Sequence, residues 1–271
     1  MPIDLRNPLG VRALTNAEGE RLDGLNPRQH VCVTCRGTGK FRWWDSPASP
    51  DRIAIEYECD CIEQRTLHRY FLHAGIGLWY QRIGWADMRW AETKAVDFVC
   101  DYMDRKQSFV SAGRGMLLRG NKGSGKTALA VLLLKDLLGD GYDGYFTTFN
   151  EMLDTFTSGW RDPAEQRYFH RRVKNAEVLV LDDPGKEIEG RVSIPAMDEV
   201  VRHRVAAAKP TIITTNLSAA DFAVRYGEYI VSLLTEQATA YDFVGADRRD
   251  DKRARDDEEI ALGLSRPVVV R

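Results

Sequence analysis

An α/β fold, with a parallel sheet covered by helices on both faces and a small hairpin module ahead of it, is what this sequence predicts. Three observations carry that reading. Short apolar or β-branched runs at 116–119, 144–148, 178–181 and 211–214 are each followed by a helix-like stretch, and such alternation requires crossover connections that keep the strands parallel and cover both faces. The first run leads straight into a glycine-rich loop at 120–127. Residues 30–61 differ in composition from the rest, with two cysteine pairs bracketing two strand-like segments.

Residues 1–28 carry Pro2, Pro8 and Pro27 with scattered Gly and Asn and no sustained period; they read as a loosely ordered arm or a partner-binding lead-in. Residues 29–80 form the hairpin module and its linker helix. Strands are expected at Lys40–Trp44 and Arg52–Tyr57, joined by the turn-rich segment 45–51. A helix is expected over 62–80, where Leu67, Tyr70, Phe71 and Ala74 recur at helical spacing until Gly75 and Gly77 interrupt it. A second amphipathic helix over 93–107 puts Val96, Val99, Cys100 and Met103 on one face, so Cys100 reads as core. Residues 81–250 hold the sheet. The dense mixed charge at 247–259 reads as a solvated face or frayed tail, and 251–271 as a charged tail ending in a short edge strand or disorder at 267–270.

With 271 residues, 44% hydrophobic and 29% charged, the chain can bury one full core and a small satellite. Lys and Arg number 38 against 40 Asp and Glu, a net charge of -2, which excludes a broadly basic coat and leaves nucleic-acid contact to a local patch. Five cysteines, unevenly spaced, do not make a disulfide scaffold, and no charged-then-apolar leader opens the sequence. The longest apolar run, 128–134, is far short of the roughly 20 residues that cross a bilayer. The expectation is a protein of reducing cytoplasm without a membrane span.

The sharpest signal is Gly120-Asn121-Lys122-Gly123-Ser124-Gly125-Lys126-Thr127, a phosphate-binding loop pattern set between strand and helix. Glycines let backbone N–H groups turn inward around an anion, and the helix N-terminus adds its positive end. Lys126 would reach the outer phosphates of ATP and Thr127 would ligate Mg²⁺. A second buried-type strand ends in Asp182 and Asp183. Asp182 is placed for the Mg²⁺ shell and Asp183 to orient or deprotonate an attacking water. The strand at 211–214 leads to Asn216, which would hydrogen-bond the γ-phosphate or its water. An Asn after a strand also forms turns, so that role rests on the other two elements.

The order of these elements resembles a known family. The glycine loop, Leu181-Asp182-Asp183-Pro184-Gly185, Arg202-His203-Arg204 with Lys209-Pro210, the run at 211–218, Tyr226-Gly227-Glu228 and Gly245-Ala246-Asp247-Arg248-Arg249 together resemble the DnaC/IstB-like group of AAA+ ATPases over about 80–249. The resemblance implies a P-loop NTPase fold. It implies Walker A residues Lys126 and Thr127, Walker B acids Asp182 and Asp183, a sensor-1 asparagine at Asn216, and a sensor-2 arginine at Arg249 or, second, Arg248. Two departures matter. The family pattern carries Asp-Glu where this chain has Asp182-Asp183, one methylene shorter. It also carries Ser-Arg-Leu where this chain has Ser232-Leu233-Leu234, so Leu233 stands at the place of an arginine that completes a neighbouring subunit's ATP site. Such an arginine is worth about 10³ or more in rate, and weak hydrolysis is expected unless Arg225 or Arg204 substitutes; either also fits a surface residue paired with an acid.

Cys32-Val33-Thr34-Cys35 and Cys59-Asp60-Cys61 lie at the two ends of the hairpin, and four thiolates suit tetrahedral Zn²⁺. A redox reading needs a Cys-x-x-Cys at a helix start, whereas Arg36-Gly37-Thr38-Gly39 follows the first pair as a turn. His30, His68 and His73 are substitutes should a thiol fail. Cys-x-x-Cys-x-Gly-x-Gly followed by Cys-x-Cys resembles the N-terminal zinc module of helicase loaders, many of them phage-borne. That resemblance implies a helicase-docking role for Phe41, Trp43 and Trp44, which otherwise only cover a core too small to stand without metal.

Arg161, Arg167, His170, Arg171, Arg172 and Lys174 form a basic cluster interleaved with Trp160, Tyr168 and Phe169, a mixture that suits single-stranded DNA and equally a solvated helix whose rings pack inward. The leading expectation is an ATP-dependent loader that delivers a hexameric replicative helicase onto single-stranded DNA, self-assembling through its ATP sites, in bacterial host cytoplasm if phage-encoded. Two others stand beside it: an IstB-like transposition helper, and an adaptor that binds ATP with little hydrolysis.

Overall fold

The computed structural model describes residues 39–44, 54–59, 61–88, 93–187, 192–244 and 247–262. The arm at 1–28, Cys32, Cys35 and the segment at 267–270 therefore lie outside the described residues.

Strands β1 (Lys40–Trp44) and β2 (Ala54–Glu58) pair antiparallel with Lys40 opposite Glu58. The register continues past the strands, where the Cys59 amide donates to the Gly39 carbonyl at 2.8 Å. Helix α1 (Cys61–His73) follows, then α2 (Leu78–Gln81), a 3-10 turn (Trp85–Met88), α3 (Thr93–Asp104) and α4 (Lys106–Ser111). The alternating part comprises β3 (Gly115–Gly120), α5 (Lys126–Gly139), β4 (Gly144–Thr148), α6 (Phe149–Ser158), α7 (Pro163–Phe169) and a π-helical turn (His170–Lys174). It continues with β5 (Val178–Asp182), α8 (Ser193–Ala206), β6 (Thr211–Thr215), α9 (Ala219–Tyr226), α10 (Glu228–Gln237), β7 (Ala238–Phe243) and α11 (Arg249–Ala261).

The five strands of the main sheet run in the order β4-β5-β6-β3-β7, all parallel. Consecutive strand residues go to opposite cores. Leu118, Val180 and Ile212 join Leu129, Leu133, Phe71 and Val99 on one face. Leu117, Leu179, Leu181 and Ile213 join Phe149, Met197, Val200 and Phe222 on the other. A period of two with both faces buried is why these strands read as unbroken apolar runs.

Three local features differ from the sequence reading, each for a physical reason. The helix expected over 62–80 stops at His73, because Gly75 lies at φ +79° with its Cα against the edge of the sheet; a Cβ there would sit 2.0 Å from the Phe146 carbonyl oxygen. The helix expected over 93–107 breaks at Arg105, and its buried stripe is Ala95, Val99 and Tyr102, which leaves Cys100 exposed rather than in the core. Strand β7 was not foreseen. It is an edge strand whose residues are largely exposed, so it lacks the apolar run that marks its neighbours.

Arg204, raised above as a substitute arginine for catalysis, is corrected outright. It is wholly buried in α8, where Nη1 donates to the carbonyls of Val173, Lys174 and Ala176 (3.1, 3.2 and 2.9 Å), Nη2 to Pro210 (2.7 Å) and Nε to Thr211 Oγ1 (2.9 Å). Burial lowers its pKa to about 9, so it remains cationic at neutral pH. One guanidinium thus pins the turn before β5 to the start of β6. Arg204→Leu, which leaves those carbonyls without donors, is expected to destabilise the fold by about 3 kcal/mol or more, read as a lower urea midpoint at unchanged slope.

Candidate nucleotide site

The loop between β3 and α5 crosses the carboxyl end of the sheet, where parallel strands present their ligands. Gly123 lies at φ +73°, and a Cβ on it would fall 1.8 Å from Asp247 Oδ1. Gly125, at φ +92°, is the N-cap of α5 and offers no side-chain cap, and the first turn of that helix carries no acid. Its leading N–H groups are left for an anion.

Lys126 is buried beneath the loop. Its ammonium donates to the carbonyls of Gly120 (2.8 Å) and Asn121 (2.7 Å), to Asn216 Oδ1 (3.1 Å) and to Ser124 Oγ (3.3 Å). Burial pulls its pKa down to about 8, opposed by the nearby charges of Asp183 and Asp182. Thr127 Oγ1 donates to Asp182 Oδ1 at 2.7 Å, and the Thr214 hydroxyl donates to the same oxygen. Burial raises the Asp182 pKa while those two hydroxyls oppose the rise.

Asp183 leaves β5 in the left-handed region, at φ +62°. Its amide donates to the Thr214 carbonyl (2.8 Å), its carboxylate accepts from Asn216 Nδ2 (2.7 Å), and Lys186 pairs with it. Asn216 therefore bridges the loop lysine and the second acid with one amide. The segment after Asp183 is anchored by Glu187, buried, which accepts from the Gly185 amide (2.8 Å), the Tyr226 hydroxyl (2.7 Å) and Arg225 (3.1 Å).

The cleft has walls that carry no motif. Trp79, Tyr80, Ile83 and Met88 line one side; Arg248, Arg249, Lys252 and Arg255 of the α11 region line another, beside Lys122 and Lys186. The Arg248 amide donates to the Gly123 carbonyl (3.3 Å), and Lys252 lies 4.3 Å over the Trp79 ring. The run of charge at 247–259 thus forms part of the site's wall. Sequence reasoning named Arg249 and Arg248 here but missed the tryptophan, the tyrosine and Lys252.

These groups fit a Mg²⁺-triphosphate. Backbone N–H groups of the loop and the Lys126 ammonium would meet the phosphates, and Thr127 with Asp182 would supply the hard oxygen pair that holds the metal. A sequence model of IstB-like ATP-binding proteins matches residues 85–234, which include the loop, both acids and Asn216. The chain belongs to this DnaC/IstB-like AAA+ family. It is 21% identical over 217 residues to the replicative helicase loader DnaC of Escherichia coli K12, covering 78% of this chain and 86% of that protein. It is 26% identical over 227 residues to the protein YdaV of the same strain, covering 80% and 86%. A crystal structure of DnaI matches the fold with a TM-score of 0.51 at 20% identity, over 62% of this chain and 94% of DnaI. The replication initiator DnaA bound to AMPPCP and single-stranded DNA matches with 0.50 at 13% identity, over 69% and 55%.

Within this family frame the remaining candidates sort plainly. Leu233 packs against the second core. Arg225 is paired with Glu187, the acid partnership named above as its alternative to a catalytic role. In the basic cluster, Arg172 and Lys174 are buried, Phe169 is core and Tyr168 bonds the Tyr145 hydroxyl (3.1 Å). Arg161, Arg167, His170, Arg171 and Trp160 are exposed. Of the cysteines, Cys59 is buried at the end of β2 and Cys61 opens α1, while Cys32 and Cys35 fall outside the described residues. Among the described residues no group of three or more His, Cys, Asp or Glu side chains is arranged to hold a metal. His68, named as a substitute ligand, is buried and bonds Gln81 through Nδ1 at 2.7 Å. No helix among the described residues is long and apolar enough to cross a membrane.

Lys126→Ala is expected to weaken Mg²⁺-ATP binding about 100-fold, the loss of a buried charge-assisted contact. Gly123→Ala, which drives a methyl into Asp247, is expected to weaken it about tenfold or more; fluorescence titration with a labelled nucleotide reads both. Lys135, on the far part of α5, is buried and its pKa falls from 10.5 to about 8, chiefly through desolvation. Between those values the unfolded chain binds more protons at this site, so the residue's contribution to stability rises with pH across that window, by at most about 1.4 kcal/mol per pH unit. Urea unfolding from pH 8 to 10 should show that rise in the wild type relative to Lys135→Met.

Proposed function

We propose that the chain is an ATP-dependent loader that delivers a hexameric replicative helicase onto single-stranded DNA, assembling with further copies through its ATP sites. What carries this reading is one cleft in which Lys126, Asn216 and Asp183 form one hydrogen-bonded chain and Thr127 with Asp182 another, beside the basic residues of the α11 region. It stands in a chain similar to a helicase loader over 78% of its length.

On this reading ATP acts as a switch. Lys126 binds the outer phosphates, Arg249 meets them from the lid, and Asp183 orients the attacking water. The chemistry that Mg²⁺ would supply from Thr127 and Asp182 is charge neutralisation on the phosphates. Turnover is slow, because Asp183 is short and already engaged by Asn216 and Lys186, and because Leu233 leaves the arginine's place apolar. The exposed set Trp160, Arg161, Arg167 and Arg171 is the surface for single-stranded DNA, with a ring to stack and cations for phosphates.

The hairpin is the helicase-docking module, with Zn²⁺ held by Cys32, Cys35, Cys59 and Cys61. The β1–β2 register supports this. It sets Gly39, four residues after Cys35 in sequence, against Cys59 at one end of the hairpin.

Pull-down of the replicative helicase from the host, with and without ATP, tests the proposal: the wild type should capture it in an ATP-dependent manner and Lys126→Ala should not. Capture of a transposase instead would replace the loader by a transposition helper. Single-turnover assays on assembled protein with single-stranded DNA that show no phosphate release would reduce it to an ATP-binding adaptor. Freshly isolated, reduced protein should contain about one zinc per chain, and substoichiometric metal would count against the four-thiolate site.

A further inference from the structure

The cleft has two chemically different ends. One is the loop with its amides and ammonium. The other is apolar, with Ile83 and Met88 beside Trp79, while the Tyr80 hydroxyl reaches Thr127 at the first end. A nucleotide whose phosphates occupy the first end has its base at the second. That second wall is built from a short helix, a bend and a 3-10 turn, so no strand ladder fixes it. It is held instead by α5, the helix that the phosphate loop opens.

Lys135 is 4% exposed and lies on α5 beyond the loop. Its ammonium donates to the Ile83 carbonyl at 2.6 Å and to the Gln81 carbonyl at 3.3 Å, and sits 5.4 Å over the Phe71 ring. The next residue, Asp136, accepts the Trp85 indole N–H at 2.8 Å. Gln81, wholly buried, donates to the Ile76 carbonyl at 2.8 Å and accepts from His68 of α1 at 2.7 Å. Residues 81, 83 and 85 are thereby tied to two neighbouring side chains of one helix. Removing an ammonium from water is unfavourable, and an apolar side chain would fill the same space against Phe71. What only the charged donor does there is hold the carbonyls of 81 and 83.

We propose that Lys135 is the positioning residue for nucleobase recognition: it locks the apolar wall to the helix of the phosphate loop, so that one rigid unit reads both ends of the nucleotide. This rests on the nucleotide reading above. Lys135 touches neither phosphate nor base. Its removal lets the 81–88 wall shift while the loop, Lys126 and the Thr127–Asp182 pair stay in place.

The test compares ATP, GTP and inorganic tripolyphosphate, each with Mg²⁺, on the full chain. In Lys135→Met the Kd for ATP should rise about tenfold and the preference for ATP over GTP should fall toward unity. The Kd for tripolyphosphate should stay within about twofold of wild type. A merely structural role would weaken ATP and tripolyphosphate alike, and that result overturns the proposal, as does unchanged ATP affinity. Should Lys135→Met fail to fold by circular dichroism, Trp85→Phe removes a single N–H from the same wall. It should raise the ATP Kd about threefold with tripolyphosphate unmoved, and equal binding of both ligands by this variant and wild type overturns the assignment. A wild-type chain that binds neither ATP nor tripolyphosphate overturns the nucleotide reading itself.

Discussion

The cleft must hold an ammonium and two carboxylates close together and largely out of water, and much of the surrounding architecture follows from that requirement. Lys126 meets it with carbonyl and amide oxygens, and Asp182 with two threonine hydroxyls. The partners come from the ends of β3 and β6, from the loop and from the first turn of α5, so the constellation exists only when β3, β5 and β6 stand side by side in parallel. Buried charges left without such partners would cost several kcal/mol each. Satisfying them internally is what makes the site rigid before any anion arrives.

The same economy of polar groups welds the N-terminal linker onto the sheet. Among the described residues strand β4 is an edge, with its outward N–H groups unpaired by any strand. The Phe146 amide donates to the Ala74 carbonyl at 2.7 Å, and Arg172 reaches the His73 carbonyl at 2.8 Å from beneath Tyr145. Covering the edge in this way removes a site for unwanted strand addition and fixes where α1 ends. Because α1 also contributes His68 to Gln81, any displacement of α1 bears on the wall of the cleft. The linker helix is therefore part of the site's frame rather than a tether to it.

What was legible in the sequence follows from how local each feature is. The glycine loop and the strands at 144–148, 178–181 and 211–214 declare themselves because backbone chirality and two-faced burial dictate residue type position by position. Strand β7 escaped because it is exposed at an edge. Trp79, Ile83 and Met88 escaped because an apolar wall assembled from short turns has no period. Arg204 fits neither reading offered for it, a substitute catalytic arginine or a surface residue paired with an acid, since a guanidinium caged by carbonyls is indistinguishable in sequence from one in solvent. The charge run at 247–259 reads as a solvated face or frayed tail apart from Arg248 and Arg249, which the family resemblance points at the nucleotide. Its cations face the cleft only because Asp247 and Arg248 seat on Gly123, a contact between residues far apart in the chain.

On the proposed reading, binding and turnover would fall to different residues, and the environments of those residues diverge. The groups that would hold Mg²⁺-ATP are pre-assembled and mutually bonded. The groups that would accelerate its cleavage are restrained: Asp183 is held by Asn216 and Lys186, and its loop is fastened through Glu187 to Arg225 and Tyr226 of α9. For Asp183 to approach a water in line with the γ-phosphate, Lys186 must release it, or the buried Glu187 network must yield. That network contains a carboxylate 3% exposed and bonded to a guanidinium, among the costlier contacts in the molecule to break. Helix α9 lies on the opposite face of the sheet from α5, so the anchorage of the acid and the phosphate loop are carried by different faces of the core. On the proposed reading, the restraints on the acid can therefore change without disturbing the groups that would hold ATP.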